Sequence, residues 1–430
     1  MDFSNERNAQ IPIWYNVFVR TSSCRICRKS HLNVVHSFYP IPYGDLYKDD
    51  HKAALSLQTN DLTLVRCNNC GLLQLDETTR FEEQYSEYLY FTSVTNKLNS
   101  FYKRIAGNLI TYLKLLETDH VLDIGSNDGS FLEHFSIATS NLHGVDPAKT
   151  ACEVAIAKNL FISNTFFERE FCEKFLRTNS KPRLITCNYT IANMPNLQDF
   201  FESLRLMMSS DTLFNVITGY HLDQFDVGMF EYVNHDHQTY LTLHDFAYLA
   251  EKNGMKVIYF RRHEHKGGSA EVGITLKDST FIVDDSVSQN LQRETWLDSR
   301  SNSSIFSMVS RTTEYSRTVN SFLDAFKSDG CQIFGIGASI SSTSLISEFG
   351  LSDKINTIYD DDVRKHGKYS PGTGIPVLPL SEISVLPEKS VVMILSWQHT
   401  DRFLDRLQEI GFSGFVIVPL PFPRLRYLSS

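Results

Sequence analysis

The sequence predicts an α/β protein in which a small metal-binding module precedes two doubly wound sheets. Three observations carry this. Four cysteines stand in two CxxC pairs near the N-terminus. A strand–glycine–helix unit opens at Val121-Leu-Asp-Ile-Gly-Ser-Asn-Asp-Gly-Ser-Phe-Leu132, and a second one opens at Cys331-Gln-Ile-Phe-Gly-Ile-Gly-Ala-Ser339. Each unit is followed by alternating strand and helix patterns, as a mostly parallel sheet with helices on both faces requires. The expected division is a zinc module over 1–85, a Rossmann-like domain over 86–242 and a second Rossmann-like domain over 243–430.

A chain of 430 residues has room for two or three cores. It is 42% hydrophobic and 21% charged, ordinary for a globular protein. A net charge of −9 argues against a phosphate-backbone footprint, so no nucleic-acid partner is expected. No apolar run approaches the roughly 20 residues of a membrane span. The start Met1-Asp-Phe-Ser-Asn-Glu-Arg7 lacks the basic and apolar regions of a signal peptide. A cytoplasmic protein with no membrane partner is the expectation.

Cys24-Arg-Ile-Cys27 and Cys67-Asn-Asn-Cys70 each offer two thiolates from one tight turn, which suits a tetrahedral structural Zn²⁺ site. A redox role would need only one pair. The module has no concentrated basic patch, so its expected work is to order a lid or wall beside the next domain. Cys152, Cys172, Cys187 and Cys331 are scattered and read as buried small hydrophobes.

Five aromatics and four Ser/Thr hydroxyls cluster in Phe81–Thr95, ahead of a helix expected from Asn96 to Leu116. The apolar run at Val121 then reads as a buried parallel strand. Gly125 and Gly129 allow a sharp turn and close approach of a ligand, and a helix is expected from about Ser130. The next strand, Leu142-His-Gly-Val-Asp146, ends in a carboxylate placed to accept the ribose hydroxyls of a bound nucleoside. With Asp123 ahead of Gly125, the stretch resembles the first motif of class I S-adenosylmethionine (SAM) methyltransferases. Asn127 stands where an NAD-type Gly-x-Gly-x-x-Gly would need glycine. Arg183–Thr190 reads as the fourth strand with Asn188 near its carboxyl end, where open α/β sheets bind ligands. A helix Leu197–Met208 and a fifth strand Thr212–Ile217 follow.

Phe230-Glu-Tyr-Val-Asn-His-Asp-His-Gln-Thr-Tyr240 is the most chemically loaded loop. His235, Asp236 and His237 are consecutive, and a metal site, a solvated loop and a catalytic loop are all open readings. Catalysis is favoured because the loop leaves the carboxyl edge of the sheet. A helix Leu243–Asn253 and strands Met255–Phe260 and Ala270–Leu276 come next. Between the strands, Lys266-Gly267-Gly268 is either a turn or a place where backbone approaches a ligand. Residues 286–328 suit two connecting helices. Strands at Thr357–Tyr359, Val391–Leu395 and Phe415–Val418 complete the second sheet, and Gly335-x-Gly337 at its first helix could hold a diphosphate.

In this order, the segments resemble the SAM-dependent C-3′-methyltransferases of nucleotide-linked 4-keto-6-deoxy sugars. Members carry a Tyr-x-Tyr-x-Ser-Ser-type linker, which falls on Tyr88, Tyr90, Thr92 and Ser93. Their Phe-Asp/Glu-x-x-Tyr-x-Glu-His segment places the base on His237, its acidic neighbour on Asp236 and a tyrosine on Asn234, a departure that removes a phenol. Their His-Gly-Gly-Ser falls on Lys266–Ser269, and Trp-Asn-His on Trp397-Gln398-His399. The resemblance implies SAM held by Tyr88, Thr92, Ser93, Asp123, Gly125, Asn127, Gly129, Asp146 and Asn188. It implies His237, Asp236, Tyr90 and Asn234 at the reacting centre. It also implies a nucleotide-linked sugar held by His235, Lys266, Gly267, Gly335, Gly337, Ala338, Tyr359, Asp360, Trp397 and His399. The implied reaction is methylation at C-3′ through a His-generated enolate. An O- or N-methyltransferase for another small molecule is the alternative. Thymidine and guanosine nucleotides both stay open, as does the oligomeric state, a monomer being consistent with the chain.

Overall fold

The computed structural model describes residues 18–42, 45–79 and 96–429. The N-terminal module is built from β1 (Phe18–Arg20), β2 (Leu32–Ile41), β3 (Asn60–Cys67), β4 (Leu73–Leu75) and β5 (Glu77–Thr79). A seven-stranded sheet follows, made of β6 (Val121–Ile124), β7 (Leu142–Asp146), β8 (Phe161–Asn164), β9 (Leu184–Asn188), β10 (Leu213–Gly219), β12 (Met255–His263) and β13 (Ser269–Leu276). Its order is β12-β13-β10-β9-β6-β7-β8, parallel except where β13 pairs antiparallel with both neighbours. Every residue of β6, β9 and β10 is buried, as strands covered on both faces must be.

The two-residue strand β11 (Thr239–Tyr240) leaves this domain and joins the N-terminal module instead. Thr239 pairs with Gln74 and Tyr240 with Leu73, giving a four-stranded sheet of order β11-β4-β3-β2. The third sheet comprises β14 (Gln332–Ile336), β15 (Thr357–Asp360), β16 (Val377–Pro379), β17 (Ser390–Ile394), β18 (Gly414–Val418) and β19 (Arg424–Leu428). Its order is β16-β15-β14-β17-β18-β19, the Rossmann sequence with an antiparallel last strand. Helices Asp285–Trp296 and Ser303–Ser328 connect the two large sheets, as expected. Among the described residues no helix is long and apolar enough to cross a membrane.

Three expectations are corrected. The helix expected from Ser130 is a single 3-10 turn, Leu132–Phe135. Phe131, Leu132 and Phe135 are all buried, and the turn closes at Ser136, whose amide donates to the Glu133 carbonyl at 3.1 Å. Asp128 also closes the turn locally by accepting from both the Ser130 amide and its hydroxyl. The expected boundary at 242/243 cuts through one sheet, because β12 and β13 extend β10 and share its core. The helix from Asn96 ends at Leu113, one turn early.

Candidate active site

The carboxyl ends of the two large sheets face one cleft of about 1600 Å³. That is larger than the ~300–1,000 Å³ typical of a single small-molecule site. One wall is the turn after β6 together with the end of β7, including Gly125, Asn127 and Asp146. Asp146 Oδ2 accepts from the Asn127 amide at 2.9 Å and Oδ1 from the Ala148 amide at 2.8 Å. Each oxygen keeps a second lone pair for a ligand hydroxyl. Asn127 takes the left-handed conformation that aims its amide at the carboxylate (φ 49°). Burial pushes the Asp146 carboxyl above the ordinary range, opposed by those two amides.

Asn188 lies at the end of β9, where the strand order reverses, and lines the same cleft. Both atoms of its amide are buried without a partner among the described residues. Such a group calls for a ligand. Asp146 and Asn188 therefore suit a bound nucleoside such as that of SAM. Asp123 and Gly129 do not line the cleft. Asp123 is buried behind the turn, accepts from Thr186 Oγ1 at 2.6 Å and has its carboxyl raised to about 7 by burial. A side chain at Gly125 would strike Thr190 Oγ1 at 2.2 Å, so the glycine makes room for protein rather than ligand.

The opposite wall comes from the third sheet. Ala338, Asp360, Trp397 and His399 line it, whereas Gly335, Gly337 and Tyr359 do not. Gly337 packs on Ser396, and Gly335 on Leu395. Asp360 repeats the Asp146 arrangement: Oδ2 accepts from the Ala338 amide at 2.6 Å and Oδ1 from the Asp362 amide at 2.7 Å. The two sheets thus present the same carboxylate cradle to one cleft.

The loop between α-helix His221–Asp226 and β11 supplies Asn234, Asp236 and His237 to the cleft; His235 is buried outside its lining. His237 Nδ1 lies 2.8 Å from the Tyr232 carbonyl oxygen. A carbonyl only accepts, so Nδ1 carries the hydrogen and Nε2 the lone pair. The other tautomer, accepting from the Asn234 amide at 3.2 Å, would set two lone pairs against each other at Tyr232. The ring stacks on Tyr232 with centroids 4.1 Å apart. Burial holds the imidazole down to about 4, helped by the Lys266 charge and opposed by the Tyr232 bond, so it is neutral at physiological pH. Asn234 is turned onto its own loop, with Oδ1 accepting from the Asp236 amide at 3.0 Å. Lys266 and Gly267 line the cleft beside this loop. Tyr88, Tyr90, Thr92 and Ser93 fall outside the described residues.

The N-terminal module braces this loop. Besides the β11 pairing, the Leu75 amide donates to the Gln238 carbonyl at 3.0 Å, directly after His237. Arg25, between two of the cysteines, donates to the Pro195 carbonyl at 3.0 Å. The ligand atoms of Cys24, Cys27, Cys67 and Cys70 lie within 4.8 Å of one another, a donor set that fits one Zn²⁺.

Glu231 went unassigned in the sequence. Its Oε1 accepts from Trp397 Nε1 and from Gln398 Nε2 at 2.7 Å, clasping the third sheet to the His237 loop. Burial raises its carboxyl to about 8. Its sequence neighbours gave no hint, because both partners lie far away in the chain.

The sheet order, the Asp146 cradle and the four-cysteine cluster define a SAM-dependent methyltransferase with a structural zinc module. Three family models match in succession: a zinc binding domain over 24–85, a methyltransferase domain over 94–259 and a C-methyltransferase C-terminal domain over 264–421. The chain is accordingly a SAM-dependent methyltransferase, and its C-terminal part matches the C-terminal domain of C-methyltransferases. It is similar to C-methyltransferase NovU of Streptomyces niveus, 24% identical over 405 residues that cover 94% of this chain and 96% of that relative. Among solved structures, a SAM-dependent methyltransferase from Clostridium acetobutylicum is 11% identical and covers 41% of this chain and 92% of its own, with a TM-score of 0.33. Magnesium protoporphyrin IX methyltransferase from Synechocystis is 10% identical and covers 45% and 91%, with a TM-score of 0.32.

Proposed function

We propose that the protein methylates C-3′ of a nucleotide-linked 4-keto-6-deoxy sugar, with His237 as the base that removes the C-3′ proton. The observation that carries this is the fixed tautomer of His237, which holds a neutral ring with its Nε2 lone pair available at the cleft. A C–H bond beside a ketone is acidic enough for a positioned imidazole to break. The imidazolium that results is stabilised by the enolate formed beside it. SAM, held at Asp146 and Asn188, supplies the electrophilic methyl group. Asp236 binds the sugar from the same loop, and the Asp360 cradle with Ala338 holds the nucleotide end against the third sheet. Lys266, Trp397 and His399 line the space between. The chain's Zn²⁺ is architectural and keeps the loop in register through β11.

A cleft this size, with a cradle at each end, supports two nucleoside-bearing ligands meeting at the His237 loop. The test is His237→Asn, assayed with SAM and a panel of nucleotide 4-keto-6-deoxy sugars. Methyl transfer should fall by at least ~10²-fold, the usual worth of a general base, with S-adenosylhomocysteine affinity unchanged. Transfer at the wild-type rate would remove His237 from this role.

A further inference from the structure

A base alone does not make an enolate: as the C-3′ proton moves to His237 Nε2, the C–H electron pair enters the new C=C bond. The carbonyl π pair then moves onto oxygen, which needs a donor or a cation in place beforehand. Two neutral side chains packed against His237 are already spent. Asn234 is turned onto its loop, and the Tyr232 hydroxyl is tucked against Gly219, where an added Cβ would lie 2.0 Å from it. The cation of this part of the cleft is the half-buried Lys266. Resting on the proposed function, we propose that Lys266 is a catalytic residue whose ammonium takes the negative charge developing on the ketone oxygen.

Three observations support the assignment. Lys266 holds the left-handed backbone conformation (φ 53°, ψ 39°), which costs a non-glycine residue energy and persists only where surroundings impose it. The surroundings are the segment that runs into the His237 loop. Gln224 Nε2 donates to the Lys266 carbonyl at 3.0 Å, and the Tyr220 amide to that of Gly268 at 3.0 Å. Side chains at Gly267 and Gly268 would collide with Met229 Sδ at 2.6 Å and Asp223 Cβ at 2.7 Å, so the lysine turn and this segment are locked together. Base and cation are thereby carried by one rigid unit, the preorganisation an oxyanion site needs.

The side chain itself is steered to the end of the sheet. Lys266 Nζ lies 3.9 Å from the centroid of the Tyr189 ring, and Tyr189 directly follows Asn188 of the nucleoside wall. The Tyr189 hydroxyl is fixed in turn by Ser269 Oγ at 2.9 Å. The ammonium stands near enough to His237 for its charge to depress that imidazole. Burial lowers Lys266 to about 8, which leaves it charged at neutral pH while weakening its hold on water.

The experiment follows exchange of the C-3′ proton with solvent deuterium, using a nucleotide 4-keto-6-deoxy sugar and S-adenosylhomocysteine in place of SAM. Lys266→Met should slow exchange by about 10²–10³-fold, the worth of an oxyanion donor, with S-adenosylhomocysteine affinity unchanged. Lys266→Arg, which keeps the charge, should restore much of the rate. Wild-type exchange in Lys266→Met while His237→Asn has none would overturn the assignment and leave the proposed function standing. Equal exchange in wild type and His237→Asn would overturn both.

Discussion

Replacing Asp146 with alanine tests the nucleoside cradle. The carboxylate accepts two backbone amides, at 2.9 and 2.8 Å, and has one lone pair left on each oxygen. Alanine removes the ligand acceptors and also frees the Asn127 turn, which is held in a left-handed conformation. A hydrogen bond to a charged group is worth about 1.5–3 kcal/mol. S-adenosylhomocysteine should therefore bind about 10–150-fold more weakly, read by titration calorimetry. The same carboxyl gives a pH test. Because burial raises it, protonation begins at higher pH than for an exposed aspartate. Ligand hydroxyls need the ionised form, so wild-type affinity should fall on acidification before an ordinary carboxylate would titrate. Unchanged affinity in Asp146→Ala would refute the assignment of the cradle.

Two further perturbations address the parts that hold the site together. Cys67→Ser/Cys70→Ser should lose the one Zn²⁺ per chain, measured by elemental analysis, and with it most methyl transfer, because β4 and the Leu75 amide hold the end of the His237 loop. Full zinc content or full activity would contradict this. Glu231→Ala strips the acceptor from Trp397 and Gln398. Leaving such donors unpaired costs about 1–3 kcal/mol, so thermal unfolding should shift downward, and an unshifted Tm would show the clasp to be dispensable.

The cysteine spacing and the two strand–glycine units were legible because each is a local pattern with a local cause. So was the place of Asp146 at the end of its strand, which the turn after Gly125 brings within reach of Asn127. The helix expected at Ser130 was not to be had from glycine spacing, since Asp128 closes that turn on the Ser130 amide and hydroxyl. The domain boundary failed for a related reason: β12 and β13 join their sheet by pairing with β10, and nothing in their own sequence announces the partner. The bracing of the His237 loop by β4, and the Glu231 clasp on Trp397, join residues more than 150 positions apart and are products of tertiary folding alone. Lys266 stood out only through the glycines after it, while its place beside His237 comes from the packing of Met229 and Gln224.

The most direct measurement of the central claim is the position of the transferred methyl. The protein is incubated with methyl-¹³C SAM and a nucleotide-linked 4-keto-6-deoxy sugar, and the product is examined by NMR. Carbon–carbon coupling of the label to C-3′ is predicted. A label bonded to oxygen or nitrogen would contradict the account.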